Sequence, residues 1–287
     1  MTHDIAVIGG GNMGSALLAG MIGSGAFDPA TLAVVEPVDA RRDELVDRFP
    51  GLTVAAEMVS ADNAVLAVKP PDVPTVAGAA AIAGARRILS IAAGVTTTTI
   101  DDAISAALGP NGGPNGGPNG GAAGDAEGGV AVVRAMPNTP SLVGRGVAAI
   151  CAGRAARTED LAWAESVLGA VGICVRLDES QFDAVTAVTG SGPAYVFFLA
   201  ESLIDAGVAA GLPSEVVGPM VTQLLVGSAE LLAQEGDPAA LRAKVTSPGG
   251  TTAAGVAVLE ERDVRGIVAG VVEAAAARSR ELGAVGA

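Results

Sequence analysis

A short apolar strand, a glycine-rich turn and an apolar helix begin in succession within the first twenty residues of the chain. The run Ile5–Ile8 predicts the strand, and the apolar periodicity from Asn12 to about Ser24 predicts the helix. Between them, Gly9 permits a tight turn, Gly11 lets the backbone approach a pyrophosphate, and Gly14 lets the helix lie close to the strand. The helix N-terminus then directs free N–H groups at the phosphates. This order of elements predicts a dinucleotide-binding unit.

A carboxylate follows the second predicted strand. Glu36 comes directly after Leu32–Val35, at roughly the spacing from the glycine turn that is expected of a residue binding a ribose 2′-OH. Because its charge would repel a 2′-phosphate, Glu36 favours NAD. Arg41 and Arg42 lie a few residues further on and could reach a 2′-phosphate, so NADH and NADPH both stay open as cofactors. The alternative is a solvated carboxylate followed by an exposed helix face.

Composition excludes several classes of protein. The net charge is −14 and aromatic residues are scarce, which argues against a nucleic-acid surface. A single histidine, His3, and two cysteines inside apolar runs, Cys151 and Cys174, give no metal-ligand spacing, so no metal is predicted. The first strand begins almost at once, without a basic region or cleavage site, and Ala-rich stretches such as 76–85 are too short to span a membrane. We therefore expect a cytoplasmic protein without a membrane partner.

The organisation of the chain changes near residue 179. Before it, strand-like runs alternate with helical segments, which predicts an α/β fold with a mainly parallel sheet. After it, only helical patterns follow, over 193–210, 214–234 and 253–282. We predict an N-terminal Rossmann-like dinucleotide-binding domain over 1–179, with a flexible Gly/Pro/Asn insert at 109–121, and an all-α C-terminal domain over 180–287. The apolar residues of these helices cover more than one face, which either a homodimer or an Ala-rich composition explains.

A second glycine loop lies between two predicted helices, over 244–253. Its sequence, Lys-Val-Thr-Ser-Pro-Gly-Gly-Thr-Thr-Ala, places hydroxyl groups and glycine N–H groups together at the start of the last long helical pattern. A helix cap needs only one serine or threonine. So many donors beside a helix N-terminus suit a small carboxylate ligand.

The chain resembles the Δ1-pyrroline-5-carboxylate reductases over almost its whole length. Six stretches carry the resemblance in the order of that family. They are Ile8-Gly9-Gly10-Gly11-Asn12-Met13-Gly14, Leu66-Ala67-Val68-Lys69-Pro70, Ser90-Ile91-Ala92-Ala93-Gly94-Val95, Arg134-Ala135-Met136-Pro137-Asn138-Thr139-Pro140, Thr189-Gly190-Ser191-Gly192-Pro193-Ala194-Tyr195 and Val245-Thr246-Ser247-Pro248-Gly249-Gly250-Thr251-Thr252. The resemblance implies NAD(P)H-dependent reduction of 1-pyrroline-5-carboxylate to L-proline, the last step of proline biosynthesis, by a homodimer whose dimers often form a decamer.

Site residues follow from the glycine turn and from the resemblance together. The predicted cofactor residues are Ile8, Gly9, Gly11, Asn12, Met13, Gly14, Glu36, Ala67, Val68, Lys69, Pro70, Ala92, Ala93 and Asn138. The resemblance implies that Ser247, Gly249, Gly250 and Thr251 hold the substrate carboxylate and that Glu179 lies near the substrate. It also implies that Thr252 lies beside the ring nitrogen, which makes it the candidate catalytic residue.

The predicted reaction does not need the acid–base and nucleophilic residues that the sequence lacks. Hydride addition to an already protonated imine needs positioning more than a general acid, and the chain offers no nucleophile–histidine pair. One alternative is a related two-domain enzyme, such as a β-hydroxyacid dehydrogenase, whose acid–base residue could only be Lys244, at an unusual position for it. Another is a non-catalytic dinucleotide sensor, which would not need the hydroxyl-rich loop.

Overall fold

The computed structural model describes residues 2–109 and 129–285, with side chains to residue 283. Apart from Gly109, the insert predicted at 109–121 lies outside the described residues. Gly109 itself ends a helix with a φ of 66°, in the left-handed region that favours glycine.

One sheet contains the eight strands of the described residues. They are β1 (His3–Ile8), β2 (Leu32–Val35), β3 (Thr53–Ala55), β4 (Ala61–Leu66), β5 (Arg87–Ser90), β6 (Ala131–Met136), β7 (Gly146–Ala152) and β8 (Gly172–Arg176). Their order is β3-β2-β1-β4-β5-β6-β7-β8, and every neighbouring pair is parallel except β6 and β7. The order reverses between β1 and β4, where nucleotides bind in such sheets. The prediction of a mainly parallel Rossmann-like sheet is confirmed.

The helices of the described residues follow the strands and then continue alone. They are α1 (Asn12–Gly23), α2 (Asp39–Arg48), α3 (Val73–Ile82), α4 (Thr97–Leu108), α5 (Thr158–Gly169), α6 (Phe182–Val185), α7 (Gly192–Ala209), α8 (Ser214–Glu235), α9 (Pro238–Lys244), α10 (Thr251–Glu261) and α11 (Val264–Val285). The prediction of one helix over 253–282 is wrong, because the helix is interrupted at Asp263. This residue has a φ of 48°, and its side chain accepts a hydrogen bond from the N–H of Gly266 in the first turn of α11.

Apolar side chains alternate between the two faces of the sheet. Val65 and Leu89 pack in one cluster, with α1 and α5, whereas Ala64, Leu66 and Ile88 pack in another, with α3 and α4. This alternation is the period of two that a β-strand imposes on its side chains. Because helices cover both faces, the strands need near-continuous apolar runs, which is the pattern that the sequence shows.

The chain divides into two compact units, which differ from the predicted domains. Unit 1 comprises residues 1–190 and 275–287, and unit 2 comprises residues 191–274. Phe182 explains why the first unit extends past residue 179, since its ring is 1% exposed and packs with Met136 and Cys151. The Ser279 hydroxyl donates to Asp183 Oδ1 at 2.6 Å, which ties the end of α11 to the same unit.

Unit 2 carries many exposed apolar side chains. On α7 they include Val196, Phe197, Phe198 and Leu199. Within the described residues, the stretches Glu179–Ala209 and Ser214–Glu235 are long and apolar enough to cross a membrane, by length and composition only. A helix that packs against a partner passes the same test, so the absence of a membrane partner stays a prediction.

Candidate active site

The glycine turn after β1 is shaped by close backbone approaches. Gly9 has a φ of 105°, and a Cβ there would lie 2.5 Å from the carbonyl oxygen of Ala67. A Cβ on Gly14 would lie 2.0 Å from the carbonyl oxygen of Gly9. Between them, a Cβ on Gly10 would lie 2.5 Å from Leu45 Cδ1. The backbone contacts therefore require glycine at Gly9 and Gly14, whereas a side chain at Gly10 would displace the end of the Leu45 side chain. Sequence analysis did not include Gly10 among the site residues, although three consecutive glycines could have drawn attention to it.

Gly11 differs from its neighbours because nothing in the protein requires it. Its φ of −64° and ψ of −171° suit any residue, and a Cβ there would meet no atom within 4 Å. It is the N-cap of α1, without a side-chain cap, and it is followed by the exposed Asn12 and half-buried Met13. The unfilled space and the uncapped N–H groups fit the pyrophosphate of a dinucleotide.

Glu36 lies at the end of β2 and is only 8% exposed. Its Oε2 accepts a hydrogen bond from the Gly10 N–H at 2.9 Å, and its Oε1 accepts one from the Val38 N–H at 3.0 Å. Each carboxylate oxygen can accept a further hydrogen bond. Glu36 therefore fixes the glycine turn and still has acceptor positions for a ribose hydroxyl.

The two arginines that follow Glu36 are engaged in ion pairs. Arg42 donates to the backbone oxygen of Glu36 at 2.9 Å and to Asp39 Oδ1 at 2.6 Å. Arg41 pairs with Glu44 at 2.9 Å on the exposed face of α2. Binding a 2′-phosphate would have to compete with these partners, although exposed pairs of this kind are weak.

The other predicted cofactor residues follow neighbouring strands. In the sheet register, Ile8 lies beside Val35 and Leu66, and Leu66 lies beside Ser90. The segments Ile8–Gly14, Glu36, Ala67–Pro70 and Ala92–Ala93 therefore meet at one edge of the sheet. That edge is the carboxyl end of parallel strands, where such sheets bind their ligands.

Asn138 follows β6 and uses its side chain inside unit 1. Its Nδ2 donates to the Thr189 backbone oxygen at 3.0 Å, and its Oδ1 accepts from the Val147 N–H at 2.9 Å. The residue is 8% exposed. Asn138 thus joins the loop after β6 to the segment that follows α6, and its contact with the nicotinamide stays a prediction.

Glu179 forms a network with α4 and β6. Its Oε1 accepts from the Thr97 N–H at 2.8 Å and from Arg134 Nη1 at 3.0 Å, and its Oε2 accepts from the Thr97 hydroxyl at 2.7 Å. Although burial would raise the pKa of Glu179, the hydrogen bonds from Thr97 and the Arg134 guanidinium hold it below its ordinary value. Sequence reasoning placed Glu179 near the substrate and did not identify either partner.

In unit 2, the second glycine loop forms a turn before α10. The Gly250 N–H donates to the Ser247 backbone oxygen at 3.0 Å, and Gly249 has a φ of 72°. Gly250 is the N-cap of α10 and provides no side-chain cap. Ser247, Thr251 and Thr252 are exposed, and within the described part of the chain their hydroxyl groups make no hydrogen bond. The turn therefore presents three hydroxyl groups and a helix N-terminus to a ligand.

Lys244, the acid–base candidate of the alternative dehydrogenase, lies at the end of α9. Its Nζ pairs with Glu235 Oε2 at the end of α8. Both side chains are exposed, and the Lys244 Nζ already has an ion-pair partner. Acting as the acid–base residue of such a dehydrogenase would require it to leave this partner.

The fold and these two loops define an oxidoreductase with a nicotinamide dinucleotide-binding unit and a helical second unit. A family model described as pyrroline-5-carboxylate reductase dimerisation matches residues 179–282, and one described as NADP oxidoreductase, coenzyme F420-dependent, matches residues 4–94. The pyrroline-5-carboxylate reductase of Synechocystis sp. is 40% identical over 99% of both chains. The chain belongs to the pyrroline-5-carboxylate reductase family.

Solved structures agree with this assignment. A pyrroline-5-carboxylate reductase from Coxiella burnetii has a TM-score of 0.84 and 31% identity, covering 98% of this chain and 99% of that one. The Plasmodium falciparum pyrroline carboxylate reductase, solved with NADP bound, has a TM-score of 0.75 and 28% identity over 98% of both chains. The resemblance and the fold class predicted from the sequence are both confirmed.

Proposed function

We propose that this chain reduces 1-pyrroline-5-carboxylate to L-proline with NADH or NADPH, as the last step of proline biosynthesis. The observation that carries the proposal is the exposed turn of Ser247–Gly250 before α10, whose neighbouring hydroxyl groups have no partner in the described residues. An anionic substrate must be held by local donors of this kind, because the net charge of the chain is −14. The similarity over the whole chain supports the same substrate.

The protein must hold the substrate carboxylate and stabilise the ring nitrogen while the cofactor supplies a hydride. When bound, NADH or NADPH supplies a hydride to the imine carbon, and the electron pair of the carbon–nitrogen bond moves to the ring nitrogen. The hydroxyl groups of Ser247 and Thr251 and the Gly249 N–H hold the substrate carboxylate, while Gly250, whose N–H donates to the Ser247 backbone oxygen, shapes the turn around it. Thr252 hydrogen-bonds the ring nitrogen as it becomes an amine. Positioning supplies most of the rate, and no general acid is needed when the imine arrives protonated.

Two variants in the second loop test this assignment. Thr252→Ala removes a hydrogen bond that strengthens as the hydride arrives, so we expect it to cost about 1 to 3 kcal/mol, or roughly one to two orders of magnitude in kcat/KM. Ser247→Ala removes a carboxylate contact that is present before and during the reaction, so it should act mainly on the KM for the substrate. Steady-state kinetics with 1-pyrroline-5-carboxylate measures both effects.

The controls separate a chemical effect from a structural one. Thr252→Ser keeps the hydroxyl and should retain most of the activity. Neither alanine variant should change the Kd for NADH in a titration without substrate, because unit 1 binds the cofactor. Full kcat/KM in Thr252→Ala, or loss of NADH binding in both alanine variants, would show that this loop does not bind the substrate.

We expect NADH to be at least as good a cofactor as NADPH. The Glu36 carboxylate would repel a 2′-phosphate, and the two nearby arginines already pair with Asp39 and Glu44. The ratio of kcat/KM for the two cofactors measures the preference. A clear preference for NADPH contradicts this prediction. In that case Arg42→Ala identifies the residue responsible, since an arginine that binds the phosphate loses NADPH activity alone.

We further infer that unit 2 forms a homodimer in the cytoplasm. The match to a dimerisation family over 179–282 and the exposed apolar side chains of α7 and α8 support this assembly over a membrane location. Burial against a second copy removes this apolar surface from water without a bilayer. The decamer that the resemblance implies would be built from such dimers.

A further inference from the structure

The loop between β5 and α4, residues 91–96, lies at the cofactor edge of the sheet. The Ile91 N–H donates to the Leu66 backbone oxygen at 3.1 Å, which fixes the start of the loop. Ala92 is buried, and Gly94 has a φ of 77°. The loop ends at Thr97, the first residue of α4. Whatever holds Thr97 therefore sets the shape of a segment that is predicted to line the dinucleotide.

Glu179 holds Thr97 by two hydrogen bonds. Its two carboxylate oxygens accept from the Thr97 backbone N–H at 2.8 Å and from the Thr97 hydroxyl at 2.7 Å. The N–H group is one of those that a helix N-terminus leaves without an intrahelical partner, and a carboxylate there is also favoured by the helix dipole. Glu179 thus anchors the end of the loop from a position 82 residues away in the sequence.

Arg134 connects the same carboxylate to the strand beside the loop. Arg134 lies opposite Ser90 in the register of β5 and β6, and its Nη1 donates to Glu179 Oε1 at 3.0 Å. Its side chain is only 8% exposed, and its guanidinium lies 4.6 Å from the centre of the Phe182 ring. Its Nε is buried and without a partner within the described residues. A guanidinium in this environment depends on the charge of its one carboxylate partner.

These contacts leave little of the Glu179 carboxylate for a substrate. A carboxylate has about four acceptor positions, and Thr97 and Arg134 occupy three of them. The hydrogen bonds that lower the pKa of Glu179 already stabilise its negative charge, and they leave about one acceptor position for a ligand. The position that the resemblance assigned to the substrate is therefore better suited to another task.

We propose that Glu179 is a positioning residue for the cofactor, which fixes the 91–96 loop against β6 through Thr97 and Arg134 and does not contact the substrate. This role rests on the proposed function only in that the chain binds a nicotinamide dinucleotide. It explains why the carboxylate reaches both the helix that ends the loop and the strand beside it.

The test compares binding of the cofactor with binding of the substrate. In Glu179→Gln the amide cannot accept hydrogen bonds at both oxygen positions, so one contact with Thr97 or Arg134 is lost. We expect the Kd for NADH, measured by fluorescence titration without substrate, to rise about tenfold, as for loss of one charge-assisted hydrogen bond. The KM for 1-pyrroline-5-carboxylate at saturating NADH should stay within twofold of the wild type.

Two variants of Thr97 separate a local effect on NADH binding from a folding defect. They are needed because Glu179→Gln weakens the ion pair of the buried Arg134. Thr97→Ala removes one hydrogen bond and leaves the pairing of Arg134 and Glu179 intact, so we expect a smaller rise in the Kd for NADH. Thr97→Ser restores the hydroxyl and should restore the wild-type Kd. Glu165→Gln disrupts a more exposed pair, with Arg176, elsewhere in unit 1 and should change neither constant.

Three outcomes would overturn the proposal. The first is a raised substrate KM in Glu179→Gln with an unchanged Kd for NADH, which indicates direct contact with the substrate. The second is no change in either constant in Glu179→Gln. The third is failure of Thr97→Ser to restore the wild-type Kd for NADH. A wrong substrate assignment would give a different result. The wild-type protein would then bind NADH in the titration but show no turnover with 1-pyrroline-5-carboxylate.

Discussion

Replacing Gly14 with alanine is expected to destabilise unit 1 and to abolish binding of NADH. The new Cβ would lie 2.0 Å from the carbonyl oxygen of Gly9 and 3.3 Å from the Cβ of Ala67, so α1 must move away from the turn. Overpacking of this kind costs about 3 kcal/mol. A displaced turn no longer directs its N–H groups at the pyrophosphate, so we expect the Kd for NADH to rise on the order of a hundredfold or more. Thermal melts and titration with NADH measure the two effects.

Gly23, at the other end of the same helix, provides the matched control. A Cβ there would meet no atom within 4 Å, and the residue is exposed. Gly23→Ala should therefore fold normally and gain about 0.5 to 1 kcal/mol from helix propensity. If Gly14→Ala melts and binds NADH as the wild type does, the close approach between α1 and the turn is not a constraint on this protein.

The sheet could be predicted from sequence because its signal is local. Each buried parallel strand is a short apolar run, and most runs in the first half of the chain are separated from the next by a helical pattern. The short, half-buried β3 is the exception, because β4 follows it without a helix. The glycine turn is equally local, since the strand, the turn and the helix lie within 23 residues. The interruption between α10 and α11 at Asp263 could not be predicted in this way. It depends on the positive φ of this residue, and the apolar helical pattern continues on both sides of it.

The partners of the site residues were harder to predict than their positions. Glu36 was found by its spacing, but its hydrogen bond to the Gly10 N–H depends on how β2 lies beside β1. Glu179 was predicted as a site residue from the resemblance, whereas its partner Thr97 lies 82 residues earlier. Such pairings depend on the strand order and the register, which local patterns do not contain.

The boundary between the two compact units also depends on contacts that local sequence patterns do not contain. The change from alternating strands to helices falls near residue 179, whereas unit 1 continues to residue 190 and regains 275–287. Composition cannot show that Phe182 belongs with Met136, or that Ser279 bonds to Asp183. These contacts join residues that are far apart in the sequence, 96 positions apart for Ser279 and Asp183.

Gly11→Val is the sharpest test of where the pyrophosphate binds. Because Gly11 has an ordinary backbone conformation and open space around its Cα, the fold gives no reason for a glycine there. We therefore expect Gly11→Val to fold normally and to lose only about 0.5 to 1 kcal/mol of stability, because valine is a poorer helix N-cap than glycine. Its branched side chain would instead occupy the space in front of the α1 N-terminus and displace the phosphates from the backbone N–H groups.

The expected loss is large because these hydrogen bonds are to a charged ligand. Two such bonds contribute about 3 kcal/mol together, which is roughly a hundredfold in the Kd for NADH. Gly11→Ala, with a smaller side chain, should have a smaller effect in the same titration. Gly14→Ala loses about 3 kcal/mol of stability together with binding, whereas Gly11→Val should lose mainly binding. Wild-type affinity in Gly11→Val would mean that the pyrophosphate does not pass over this residue, and the glycine would then have no role in either the fold or the site.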